Sequence, residues 1–180
     1  MTTPSDPVLQ FTTRTISEPR LRIELIPGSS WESNVRSMVP RKTWDVLRFQ
    51  VYAAANHHCE ICGGQGRGRT KVECHEVWAF EEPVQRLERL ICLCPACHEV
   101  KHFGFACSRG REQYARAHLR LVNGWGLNEV QLHIARSFAL WQARSQMEWT
   151  VDISALDPLY GLDVAKERAE RQASDAKKVP

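Results

Sequence analysis

The chain has 180 residues, enough for one domain with a buried core and few for two. Its 43% apolar and 25% charged content excludes a disordered polyelectrolyte, and no apolar run approaches the roughly 20 residues of a membrane span. A net charge of +3 permits a nucleic-acid partner without demanding one, so local clustering has to decide.

Residues 1–20 are polar, carry Pro4, Pro7 and Pro19, and read as a flexible lead-in; they lack the basic start and apolar middle of a signal peptide. A cytoplasmic protein is expected, in which seven cysteines, an odd number, serve as thiols or metal ligands and not as disulfides. "LRIELI" (21–26) alternates apolar and polar residues, which predicts a half-buried strand ended by Pro27-Gly28. Ser29 or Ser30 is placed to cap a short helix, with Glu32 in its first turn, and Pro40 breaks that element. Residues 41–55 put Trp44, Leu47, Val51 and Ala55 on one helical face. After a glycine- and cysteine-rich stretch, "KVECHEVWAF" (71–80) and "LERLICLC" (87–94) read as strands joined by a turn around Glu81 to Pro83. "PACHEVKHFG" (95–104) opens a helix, with Pro95 in its first turn and Gly104 as its stop. Residues 111–122 form a helix with Tyr114, Ala117 and Leu121 on one side, and Asn123-Gly124 and Gly126 turn the chain. Asn128 then caps a longer helix whose buried stripe is Val130, Ile134, Phe138 and Trp141. "WTVDI" (149–153) is a late strand, and residues 164–180 a frayed helix or disordered tail. The fold class is α+β, mainly helical: one domain over 21–163 with a helical extension at 111–147.

Cys59-Glu60-Ile61-Cys62 and Cys94-Pro95-Ala96-Cys97 share one spacing. A two-residue gap lets both thiolates of a turn reach one ion at about 2.3 Å, and two such knuckles make a closed tetrahedral structural Zn²⁺ site. Gly63-Gly64 supplies the tight turn under the first pair. A redox role for the pairs would call for a thioredoxin-like βαβ pattern, which neither has. Cys92 and Cys107 lie in apolar surroundings and read as small core residues.

The tetrapeptide Cys-His-Glu-Val occurs twice, at 74–77 and 97–100. In the second copy His98 is followed four residues later by His102, so two imidazoles project from one helix face and can share a second ion. The alternative is that His98 joins the zinc shell and His102 sits at the surface. In the first copy His75 lies on a strand, with Glu73 on its face and Cys74 and Glu76 on the other.

"CEICGG", a strand with His75, then "RLICLCPACHEVKH" resembles the zinc-knuckle branch of the HNH endonucleases with their ββα-metal fold, over about residues 57–104. Flanking segments such as "VNGW" are similar to those of small bacterial and phage proteins carrying this module. The resemblance implies a ββα-metal module with a four-cysteine structural zinc (Cys59, Cys62, Cys94, Cys97), flanked by packed helices and short strands. It implies a metal-dependent endonuclease with His75 as general base and His98 and His102 holding a second divalent ion, Mg²⁺, Mn²⁺, Ni²⁺ or Zn²⁺. Cys74 stands where the family has an Asp or His ligand to that ion, and a thiolate there would favour soft ions; Glu73 or Glu76 could take its place. Arg89 stands where the family has an Asn that orients the base, and its side chain cannot accept a hydrogen bond from imidazole.

Arg67, Arg69 and Lys71 lie in a glycine-rich stretch without an acid among them, and Arg109, Arg111, Arg116 and Arg120 follow the helix histidines. With Arg89 they suit contact with the phosphates of DNA, or of RNA, without base selection. The tryptophans read as packing residues, Trp78 and Phe80 being the candidates for stacking on a base. A zinc deaminase is rejected, because Pro95 lies inside its cysteine pair and the reading leaves Cys59 and Cys62 without a role. The competing function is a non-catalytic zinc module that binds nucleic acid or protein.

Overall fold

The computed structural model describes residues 18–65 and 71–177. The described chain is α+β and mostly helical, with eight α-helices and one three-stranded sheet. Its centre is the hairpin of β1 (Glu73–Glu81) and β2 (Val84–Leu93), closed at the cis Glu82-Pro83 bond. The antiparallel register pairs His75 with Ile91 and Cys74 with Cys92, up to a bulge between Val77 and Trp78. A strand's period of two therefore sends Glu73, His75, Ile91 and Leu93 to one face and Cys74, Leu90 and Cys92 to the other. Each face lies on its own core.

The first core joins Ile91 and Leu93 to Leu21, Val100, Phe103, Leu119 and Ile134. It is roofed by α3 (Pro95–Lys101), α4 (Phe103–Ser108), α5 (Glu112–Asn123) and α6 (Leu127–Arg144). The second core joins Leu87, Leu90 and Cys92 to Val35 of α1 (Val35–Met38), Leu47 and Val51 of α2 (Arg41–Ala54), Leu156 of α7 (Leu156–Tyr160) and Val164 of α8 (Val164–Ala176). Phe103 and Leu47 are about 1% exposed, and burying such a side chain stabilises by about 1.5–3 kcal/mol. No helix among the described residues is long and apolar enough to cross a membrane.

Several local expectations shift. The segment 21–26 joins no sheet. Glu24 N–H donates to the Lys101 carbonyl, Leu21 N–H to Asn123, and Ile23 N–H to His133, so helices α3, α5 and α6 satisfy it instead of a strand. The short helix α1 is capped by Asn34, not by Ser29 or Ser30, in a reciprocal box with Ser37. The helix expected to run to Gly104 breaks at His102 (φ −93°, ψ 45°), and α4 resumes through Gly104. In α5 the core takes Ala115 and Leu119, and Tyr114 and Leu121 face solvent. Helix α6 starts at Gly126, whose N–H donates to Glu129, so Asn128 lies within its first turn. The late strand is β3 (Thr150–Asp152), which pairs in parallel with the start of β2. The stretch from Val164 is an ordered helix, with Asp163 accepting from Lys166 N–H and Thr43 donating to Glu167. The lead-in falls largely outside the described residues.

Candidate functional site

Helix α3 and its C-cap bring together residues of two separate clusters that could hold a metal ion. Cys94 is its N-cap and Cys97 lies in its first turn; Cys59 and Cys62 come from the turn after α2. The four sulfurs lie within 4.8 Å of one another, with Cys62 and Cys94 3.6 Å apart. Four sulfurs at about 2.3 Å from a tetrahedral ion are about 3.8 Å apart, so the set fits Zn²⁺. The turn is built for this: Gly63 has φ +76°, its N–H donates to the Cys59 carbonyl, and Gly64 N–H points at Cys62 Sγ at 3.4 Å. Hydrogen bonds from Cys94 and Cys97 draw the Cys59 thiol far down, and the same bonds push Cys94 up to about 11 and Cys97 higher still. Among thiols this close only one ionises readily; a divalent cation lets the rest follow. His118 of α5 adds an imidazole nitrogen 3.1 Å from Cys97 Sγ, where a ring N–H would donate to a thiolate.

The second cluster is His75 of β1 with His98 of α3 and His102 at its C-cap. Their ring centroids are 5.3, 5.0 and 4.6 Å apart, and one nitrogen of each lies within 4.8 Å of the others. The strand period turns His75 toward α3, and the four-residue spacing turns both helix histidines toward β1. His98 and His102 line a cleft of about 1370 Å³ with Glu73 and Phe105, and His75, 4% exposed, is buried beside them.

Carboxylates hold two of the rings. Glu73 Oε2 is 2.5 Å from His98 Nδ1, and this bond keeps the Glu73 carboxyl below its usual range. Glu24 accepts from His75 Nε2 at 2.9 Å and also receives the Lys101 ammonium. Burial would raise the Glu24 carboxyl, but the His75 bond and the Lys101 charge bring it down to about 2. Burial lowers His75, and burial followed by the His98 and His75 charges lowers His102 to about 3. Both rings are thus neutral at pH 7, the state in which imidazole binds a cation or takes a proton.

The structure separates Cys74 from these histidines. Its side chain packs on the second core, where burial and then the Glu76 charge push the thiol up to about 12. Glu76 shares that face, its Oε1 accepting from Val35 N–H at 2.8 Å, and burial raises its carboxyl from 4.5 to about 7. A raised carboxyl favours folding of the protonated form, so stability present below pH 4.5 is lost as pH rises through 7. Glu76→Gln keeps an oxygen for Val35 and removes this loss. It should stabilise the protein at pH 8 relative to pH 5 by about 1–2 kcal/mol, less than for a wholly buried group because part of Glu76 meets water. Urea titrations at the two pH values check this.

Arg89 is tied to Glu60 at 2.9 Å, and the other oxygen of Glu60 accepts from Cys92 N–H, so this pair fastens the first cysteine turn to β2. Arg111 pairs with Glu99, Arg116 with Glu112, and Arg120 Nε donates to the Trp125 carbonyl, so much of the basic run is satisfied internally. Lys71 and Arg109 are exposed, Arg109 lying over the Phe105 ring at 5.5 Å; Arg67 and Arg69 lie outside the described residues. Phe80 stacks edge-on with Trp149 and beneath Arg144.

Glu24, Glu60 and His118 were not visible as site residues in the sequence. Each acts across the fold from a distant segment, and no spacing links it to its partner. Comparison with protein-family models, curated proteins and solved structures finds no match to this chain.

Proposed function

We propose that the chain is a metal-dependent endonuclease of the HNH type, its β1–β2–α3 unit a ββα-metal module, hydrolysing phosphodiesters of DNA. The observation that supports this most is the meeting of buried His75, from the strand, with His98 and His102, which line a cleft, beside a separate cysteine cluster. A divalent ion bound there supplies Lewis acidity to the phosphate and the leaving 3′ oxygen. His98 and His102 would hold that ion, each through a neutral ring nitrogen. His75, its Nε2–H engaged by Glu24, keeps a lone pair on Nδ1. That nitrogen takes the proton of the attacking water as the P–O3′ bond breaks. Of the basic residues flanking the site in sequence, Lys71 and Arg109 are exposed and without an ion pair among the described residues, and so are left to meet phosphate; Zn²⁺ in the cysteine cluster fixes the start of α3.

Two observations favour the second reading, a non-catalytic zinc-stabilised module that binds nucleic acid or protein: Cys74 and Arg89 are both engaged in packing the fold. Supercoiled plasmid incubated with zinc-loaded protein and each of Mg²⁺, Mn²⁺, Ni²⁺ and Zn²⁺ separates the two. The nuclease converts it to open circles with at least one ion, and a labelled RNA run in parallel tests whether the substrate is DNA alone. Intact plasmid under every ion removes the nuclease reading.

A further inference from the structure

The segment 21–26 lies far from the cysteine and histidine motifs in sequence, yet it enters the histidine cluster. Three of its backbone N–H groups are pinned, Leu21 to Asn123, Ile23 to His133 and Glu24 to the Lys101 carbonyl. That anchorage delivers one side chain, Glu24, against the ring of His75. One carboxylate oxygen accepts from His75 Nε2 at 2.9 Å and the other takes the ammonium of Lys101, itself only 5% exposed.

We propose that Glu24, its second oxygen paired with Lys101, is a positioning residue for His75, holding its ring in the Nε2–H tautomer so that Nδ1 presents its lone pair. A carboxylate flanked by an ammonium is an acceptor on both oxygens, so the shared proton must sit on the imidazole. Burying Lys101 and Glu24 together is otherwise a poor route to stability, since an apolar pair of similar size commonly serves as well. The pair makes physical sense if its charge is used by the ring it touches. Lys101 lies between the two histidines of α3 in sequence, so the helix that brings His98 and His102 also brings the counter-ion for Glu24.

This inference builds on the histidine site of the proposed nuclease but is read without it. In the full chain with zinc in the cysteine cluster, ¹⁵N-histidine NMR at neutral pH should show His75 as the Nε2–H tautomer. Glu24→Gln, which keeps an acceptor oxygen, should retain that tautomer in part. Glu24→Leu with Lys101→Met removes both charges, keeps the volume apolar, and should leave a folded protein whose His75 tautomer is mixed. Titration with Co²⁺ should show binding at the histidine cluster changed by less than about threefold in the double variant, because His98 and His102 hold the ion and both remain. A folded double variant with an unchanged His75 tautomer overturns the proposal. If the wild type does not nick DNA but the tautomer responds as stated, the nuclease reading falls and the role of Glu24 stands.

Discussion

Replacing Cys97 by serine is expected to abolish zinc binding and to lower the thermal midpoint by about 10–20 °C, or to remove a cooperative transition altogether. Cys97 is fully buried in the first core, its sulfur lies with those of Cys59, Cys62 and Cys94, and its neighbour His118 approaches from α5. Structural zinc in small sites contributes about 10–16 kcal/mol of apparent binding energy at pH 7, against a net stability of about 5–15 kcal/mol for a typical domain. Losing one ligand forfeits much of that, and about 5 kcal/mol shifts the midpoint of a domain this size by about 10–20 °C. Cys107→Ser is the matched control: Cys107 is half-buried and outside both ligand clusters, so zinc content should be unchanged and the midpoint should move by a few degrees at most. Elemental analysis and calorimetry on the two variants give the comparison.

His98→Ala makes the opposite prediction at the adjacent position. It should leave zinc in the cysteine cluster and the cooperative transition intact, while plasmid nicking falls at least about 100-fold. The reason is geometric. Cys97 points to the cysteine set and His98 to His75 and His102, so consecutive residues of α3 serve different clusters. Removing His98 also leaves Glu73 without its 2.5 Å partner, at the cleft where water can replace it. If His98 instead belonged to the zinc shell, its loss would behave like that of Cys97. His102→Ala tests the other proposed ligand, and its ring, brought down to about 3 by burial and then the His98 and His75 charges, predicts that nicking does not decline through protonation of His102 until well below pH 5.

The hairpin, the helix after it and the cysteine set were legible because each is a local pattern: alternation, a proline at a first turn, a repeated two-residue gap. The strand period also put Cys74 and Glu76 on the face away from His75, as found. What the sequence could not carry is what crosses the fold. "LRIELI" alternates like a strand, yet the acceptors around it are Lys101, Asn123 and His133, so it stays single. The run of arginines after His102 looked open to phosphate, but Glu99 of α3 reaches Arg111 once the helices pack, while Glu112 takes Arg116 one turn along α5. The two copies of Cys-His-Glu-Val part for the same reason. In a strand Cys74 turns away from His75, and in the first turn of a helix Cys97 and His98 reach neighbouring clusters.

The most direct measurement is nicking of supercoiled plasmid by the zinc-loaded wild type and by His75→Ala, under each of the four divalent ions, with zinc content, far-UV circular dichroism and Co²⁺ affinity recorded for both. The account predicts nicking by the wild type with at least one ion and none by His75→Ala, which stays folded, keeps its structural zinc and still binds Co²⁺ through His98 and His102. Loss of Co²⁺ binding together with nicking would make His75, buried at 4% exposure, a third ligand and not the base. Nicking by His75→Ala at the wild-type rate, or none by the wild type under any ion, contradicts the account.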